Sequence, residues 1–164
     1  YPNLDLVNQT FGDYNNFLQV NGDLGLKMQK AFEQQFEKDY DKIVLIGSDT
    51  PHISNDIILE SFDELNTNDN VIGPSLDGGY YLIAFNKNTF NEEVFNNISW
   101  STSEVLNQTL QKLHAKNVHL TKELNDIDII EDLNDFYEEF HNSYFKESNT
   151  IRYLKEDLSW KNLT

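Results

Sequence analysis

Ile43-Val44-Leu45-Ile46-Gly47-Ser48-Asp49-Thr50-Pro51 is the stretch on which the reading of this chain turns. Four consecutive aliphatic residues rich in β-branching suit a strand covered on both faces, of the kind found inside a parallel sheet. The run then stops at a glycine, a carboxylate and a proline. Ligands of such sheets bind beyond the carboxyl ends of the strands, and Asp49 stands at that end. Thr50-Pro51 keeps the connection extended or turned until a helix starts near Ser54. Asp49 is thus either a carboxylate delivered to a site or a residue that only caps the turn.

Working outward, residues 1–21 are polar, carry a turn signal at Gly12-Asp13 and read as a connecting segment. Gly22-Asp23-Leu24-Gly25 leads into a helix whose expected apolar stripe is Leu24, Met28, Phe32 and Phe36, with Asp23 placed to cap it. Gly22 and Gly25 form either a tight turn or a bare helix start that a ligand can approach. After the Asp49 strand, Ile57, Ile58, Ser61, Phe62 and Leu65 mark a second amphipathic helix, and Val71-Ile72-Gly73-Pro74 a short strand. Asp77-Gly78-Gly79 precedes the apolar strand Tyr80 to Phe85. That triplet is a hairpin signal, and its glycines also permit close approach of a sugar or phosphate.

Farther on, Ser101 and Glu104 have the spacing of a capping box ahead of Val105, Leu106, Thr109, Leu110 and Leu113. Trp100 just before it is either core or a platform for a ligand ring. Val118 to Thr121 reads as a strand. In Asp126-Ile127-Asp128-Ile129-Ile130-Glu131, Asp128 and Glu131 are spaced as cap and partner of a helix that buries Leu133, Phe136, Tyr137 and Phe140. Asp126 and Asp128, two apart in extended chain, point the same way and suit a shared cation. The tail 142–164, with Ile151, Leu154, Leu158 and Trp160, is expected to be partly helical and to dock through apolar contacts.

Composition bounds the function. With 38% hydrophobic and 13% aromatic residues among 164, the chain can bury a core, and we expect one α/β domain over 1–164 with its motifs in 22–141. A formal charge of −16 with Arg152 as the single arginine argues against nucleic acid and anionic membrane surfaces as partners. A small phosphorylated ligand fits such a chain when a divalent cation stands between its phosphates and the carboxylates. With no cysteine, disulfides and thiolate chemistry are excluded. His52, His114, His119 and His141 lack the spacing of a zinc site. No apolar run reaches membrane-spanning length and the first residues do not resemble a signal peptide, so a cytoplasmic location is expected.

Five blocks in this order carry a family resemblance: Gly22-Asp23-Leu24-Gly25 with Lys27-Met28; Gly47-Ser48-Asp49-Thr50-Pro51; Gly73-Pro74 with Asp77-Gly78-Gly79-Tyr80-Tyr81-Leu82; Trp100-Ser101-Thr102; and Asp126-Ile127-Asp128 with Glu131-Asp132-Leu133. Together they resemble a bacterial family of GT-A-fold glycosyltransferases, the nucleotide-diphospho-sugar transferases, some of them arsenosugar-biosynthesis glycosyltransferases. The resemblance implies a Rossmann-like three-layer α/β sandwich with a mostly parallel sheet. It implies a nucleoside diphosphate sugar as donor, a small-molecule acceptor, and Mg²⁺ or Mn²⁺. Asp49, Asp126 and Asp128 match the metal-contacting carboxylates. Gly22, Asp23, Lys27, Ser48, Asp49, Gly78, Gly79, Trp100, Ser101 and Thr102 match the ligand-binding blocks, and Asp77 takes the place of a catalytic base near the acceptor.

Family members begin with a strand and a basic glycine-containing turn ending in Lys-Thr-Arg-Leu, and nothing in this chain matches that block. The resemblance therefore implies a chain without its N-terminal strand and phosphate-binding turn, the strand being the neighbour of Ile43 to Ile46. We expect Ile43 to Ile46 to be paired on both sides, through a rearranged strand, a segment exchanged in a homo-oligomer, or an N-terminal piece. The functional expectation is sugar transfer from a nucleoside diphosphate sugar. The alternatives are nucleotidyl transfer to a phosphorylated small molecule and a non-catalytic acidic binding module. Asp49, Asp126 and Asp128 are expected to face one cleft.

Overall fold

Side-chain caps set the first boundaries. In the computed structural model, which describes residues 16–113, 117–156 and 159–162, Asp23 Oδ1 accepts the N–H of Leu26 at 2.8 Å and starts helix α1, Leu24–Phe36. This is the expected cap, since a carboxylate satisfies one of the orphan N–H groups of the first turn. Gly25, Met28, Phe32 and Phe36 form its buried face, whereas Leu24, expected in the stripe, is 51% exposed. Ser54 Oγ accepts the N–H of Ile57 at 3.3 Å and starts α2, Asn55–Glu64. The other elements are strands β1 (Lys42–Ile46), β2 (Asn70–Pro74), β3 (Tyr80–Asn86) and β4 (Val118–Leu120), and helices α3 (Val105–Lys112), α4 (Ile130–Phe140) and α5 (Asn149–Glu156). The Gly12-Asp13 turn, His114 and Leu158 lie outside the described residues.

Two caps differ from expectation. Ser101 adopts the left-handed conformation, φ 62°, which takes it out of the capping position. α3 instead starts from Glu104 without a side-chain cap, and Thr102, ahead of the helix, accepts the N–H of Glu104 on its Oγ1 at 3.3 Å and donates to the carbonyl of Ser99 at 2.7 Å. At α4 the N-cap is Ile129, and Asp132 Oδ2 accepts the N–H groups of Asp128 and Ile129, both at 3.0 Å. Asp128 is thereby released from the capping role.

The sheet runs in the order β1-β3-β2-β4 and is mixed, which corrects the mostly parallel expectation. The connection from Pro74 to Tyr80 is far too short for a parallel crossover. β2 and β3 therefore form an antiparallel hairpin, closed by hydrogen bonds from Ser75 N–H to Gly79 O and from Gly78 N–H to Ser75 O, both 3.1 Å. β3 is also antiparallel to β1, and only β2 and β4 pair in parallel. A second correction concerns β1, which pairs with β3 on one side and, among the described residues, with nothing on the other.

Helices cover both faces of the sheet. On one, Met28, Phe32 and Phe36 of α1 meet Ile72, Ile83 and Phe85, with Ile43, Leu45 and the α3 residues Leu106 and Leu110 packed alongside. Phe32 and Phe85 are fully buried and meet edge-on, with ring centroids 5.0 Å apart. Each such ring contributes about 2–3 kcal/mol of burial, and the edge-on pairing adds about 1 kcal/mol. On the other face Ile57 and Leu65 pack with Val71, Leu82 and Ala84, and Val44 joins them. The aliphatic run of β1 thus has a helix layer against each face, but Ile43, Val44 and Leu45 are only half-buried and Ile46 is 46% exposed, which corrects the fully covered strand its composition implies.

A third apolar cluster joins α4 to α5 through Phe136, Phe140, Ile151, Leu154 and Trp160, whose Nε1 donates to the carbonyl of Leu154 at 3.0 Å. This is the expected docking of the tail. His52, on the turn after Asp49, links the cluster to the sheet, its ring centroid 5.6 Å from Phe136 and 5.0 Å from Phe140.

Candidate functional site

A cleft of about 930 Å³ opens beyond the end of β1, between α1 and the Ser75–Gly79 turn. The sheet supplies its floor through Leu45, Ile46 and Tyr81, and the strand end delivers Gly47, Ser48 and Asp49 to it. Facing them are Asp77 from the hairpin turn and Asp126 and Asp128 from the extended segment before α4. That segment is brought alongside the hairpin by backbone bonds: Leu124 N–H donates to Pro74 O and Leu76 N–H to Leu124 O, each at 3.1 Å. Residues distant in sequence thereby meet at one edge of the sheet.

Asp77, Asp126 and Asp128 can each present a carboxylate oxygen within 4.8 Å of the others. Asp77 is fixed in place: its Oδ1 accepts the N–H of Gly79 at 2.8 Å and a close hydrogen bond from Ser75 Oγ. Asp126 is the least exposed of the three. Burial raises the pKa of its carboxyl, and the charges of Asp77, Asp128 and Asp49 raise it further. Three hard oxygen donors in mutual reach, one of them electrostatically strained by the others, fit Mg²⁺ or Mn²⁺. Asp49 lines the same cleft and acts on Asp126 through its charge, but stands outside the three-carboxylate group.

The other expected site residues divide in two. Lys27, Ser48, Gly79, Trp100, Ser101 and Thr102 line the cleft. Gly22, Asp23 and Gly78 do not, and two of these have structural tasks. Asp23 is the α1 cap. Gly78 has φ +91°, and a Cβ there would lie 2.3 Å from the backbone oxygen of Ser103, so it seats the hairpin turn on the start of α3. Leu106 N–H donates to the carbonyl of Gly78 at 2.9 Å and completes that joint. Gly25, expected in a tight turn or a bare helix start open to a ligand, gives room to Trp100: a Cβ would meet Cζ2 of the indole at 2.8 Å. Trp100 is thus both core and cleft wall.

Sequence reasoning missed Ser75, whose signal was a hydroxyl two residues before an aspartate in a tight turn. It also placed Asp77 apart from the metal group. The hairpin and the 124–128 segment are too far apart in sequence for spacing to reveal their meeting.

Residues 4–102 match a family described as "Uncharacterized protein conserved in bacteria (DUF2064)". Among solved structures, the chain is similar to one titled "putative nucleotide-diphospho-sugar transferase", from Desulfovibrio desulfuricans G20. The two are 32% identical, the TM-score is 0.88, and the match covers 99% of this chain and 72% of the other. No curated protein matches the sequence. Among the described residues no helix is long and apolar enough to cross a membrane. A family match over more than half of the chain, joined to a 32%-identical relative with the same fold, leads to one conclusion: the chain belongs to the bacterial DUF2064 family.

Proposed function

We propose that the cleft takes a nucleoside diphosphate sugar and transfers its sugar to a small acceptor, with a divalent cation held by Asp77, Asp126 and Asp128. The observation that carries this reading is the convergence of those three carboxylates in a cleft shared with Asp49, Lys27 and Trp100. The Desulfovibrio relative, described as a putative nucleotide-diphospho-sugar transferase, supports it. A cation so held supplies positive charge to the diphosphate leaving group. Asp77, turned by Ser75 and Gly79, acts with Asp126 and Asp128 in holding it, in place of the proton-accepting role expected from its sequence. Asp49 adds charge from the strand end. Lys27 is placed to meet a phosphate, and the half-buried Trp100 offers an indole wall to a ring.

Calorimetric titration with nucleoside diphosphate sugars, nucleoside diphosphates and nucleoside triphosphates, each with and without Mn²⁺, tests the reading. Diphosphates and their sugars are expected to bind only with the cation. Retention of triphosphates alone, with pyrophosphate released, would replace sugar transfer by nucleotidyl transfer. Absence of any cation-dependent binding would remove the site.

A further inference from the structure

Ser75 carries no charge, yet it stands buried, 3% exposed, at the joint on which the acidic corner of the cleft is built. Its main chain is held from two sides. Within the hairpin its N–H donates to Gly79 O and its carbonyl accepts from Gly78 N–H, both at 3.1 Å. Across the sheet edge it forms a parallel bridge with Leu124, framed by the bonds from Leu124 N–H to Pro74 O and from Leu76 N–H to Leu124 O. Leu124 closely precedes Asp126 in the chain. The backbone that fixes the Ser75 hydroxyl therefore also fixes where Asp77 stands relative to Asp126 and Asp128.

The hydroxyl and a main-chain amide act on the same carboxylate oxygen. Ser75 Oγ and Gly79 N–H both donate to Oδ1 of Asp77, the second at 2.8 Å. A carboxylate oxygen offers about two lone-pair sites, so Oδ1 is filled, whereas Oδ2 accepts no hydrogen bond among the described residues. The carboxylate also lies close over Gly79. A Cβ there would stand 3.1 Å from Oδ1 and 3.2 Å from Ser75 Oγ, tighter than ordinary contact.

Such an arrangement discriminates between cations. Mg²⁺ demands near-ideal octahedral geometry, and Mn²⁺ suits the same octahedral oxygen sites, whereas Ca²⁺ takes roughly six to eight oxygens in flexible geometry and accepts both oxygens of one carboxylate. We propose that Ser75 is a positioning residue that sets the ion selectivity of the three-carboxylate group: by occupying Oδ1 of Asp77 it leaves one fixed oxygen, Oδ2, for the cation, and so favours Mg²⁺ and Mn²⁺ over Ca²⁺. The inference rests on the proposed cation site and not on the identity of the nucleotide or the sugar. Without the hydroxyl, Asp77 keeps only the Gly79 bond, its carboxylate is free to turn, and both oxygens come within reach of the larger ion.

Mn²⁺ binding, followed by the electron paramagnetic resonance signal of the free ion with Ca²⁺ as competitor, tests this on the wild-type chain, Ser75→Ala and Gly79→Ala. The wild type is expected to hold Mn²⁺ more tightly than Ca²⁺. Ser75→Ala is expected to weaken Mn²⁺ binding by about tenfold or more, the usual cost of losing the partner of a metal ligand, and Ca²⁺ binding by much less, so that the preference for Mn²⁺ falls. Gly79→Ala keeps the hydroxyl and every charge but crowds Oδ1, and should move the preference the same way. A Ser75 that serves only the hairpin would weaken both ions alike and lower the Tm of the ion-free chain. That outcome overturns the proposal, as does a preference unmoved in both variants or a wild type that prefers Ca²⁺. A wild type that binds Mn²⁺ while the variants keep its preference loses only the role of Ser75; a wild type that binds no cation loses the cation site as well.

Discussion

The N–H of Ile127 donates to the carbonyl oxygen of Asp49 at 2.9 Å. One backbone bond thus ties the end of β1 to the segment carrying Asp126 and Asp128, and it uses the main chain of Asp49, leaving the carboxylate to the cleft. That main-chain bond helps fix the spacing of the two acidic elements. Substitutions of the carboxylates should therefore change electrostatics with little change in geometry.

Asp126→Asn is expected to separate stability from binding. The folded carboxyl has a raised pKa, caused first by burial and then by Asp77, Asp128 and Asp49. The folded state therefore binds its proton more tightly than the unfolded state. Stability from this group is present below the unfolded value and lost as pH rises through the folded one. At neutral pH the uncharged amide should raise Tm and abolish Mn²⁺ binding. Differential scanning calorimetry with and without Mn²⁺ checks both, and a lower Tm would show that Asp126 serves packing.

For Asp49→Asn the expectation is different. Its main-chain bond to Ile127 survives, so stability should change by no more than about 0.5 kcal/mol, while Mn²⁺-dependent binding of a nucleoside diphosphate is lost. A loss of stability as large as the loss of binding would make Asp49 a turn residue. Urea unfolding and calorimetric titration on the same variant decide.

Gly78→Ala should be costly, although Gly78 does not line the cleft. The new Cβ would lie 2.3 Å from the Ser103 oxygen at a φ of +91°. A strained position of this kind costs about 1–3 kcal/mol, which lowers Tm by about 2–4 °C per kcal/mol in a chain of this size. Thermal unfolding measures it, and an unchanged Tm would mean that the joint between hairpin and α3 is loose.

His52 should make the chain sensitive to mild acid. Burial lowers its pKa, an effect opposed by Glu139 and reinforced by Lys122. The unfolded state therefore binds the proton more readily. Stability from the neutral ring is present above the unfolded value near 6.5 and is lost as pH falls through that value toward the folded one. His52→Leu should flatten that part of the stability–pH curve. Urea midpoints between pH 5 and 7 give the comparison.

Much of the fold was legible because its signals are local. Asp23 and Ser54 cap helices through side chains that act within three residues, and the β2–β3 hairpin follows from Asp77-Gly78. Ser101 failed as a cap because spacing carries no information on φ, and the left-handed turn leaves α3 to start from Glu104 without a side-chain cap. The aliphatic run of β1 reported the helix layer against each face but not its neighbours, since face contacts are written in side chains and edge pairing is not. The acidic site was half legible. Asp126 and Asp128 are adjacent in extended chain, but Asp77 joins them only through the pairing of residues 74–76 with Leu124.

The sheet order also implies a sequence of assembly. β2 and β3 are joined by one short turn, while β1 must find β3, and β4 must find β2, across long stretches of intervening chain. The entropy of closing a loop grows with its length, so the hairpin is favoured as the earliest piece of the sheet. Asp77 sits in that hairpin, Asp49 arrives with β1, and Asp126 and Asp128 follow β4. The carboxylates therefore meet only when the last strands dock, and the mutual repulsion of the acidic cleft falls on the late side of the folding barrier. Added Mn²⁺ should then slow unfolding much more than it speeds folding.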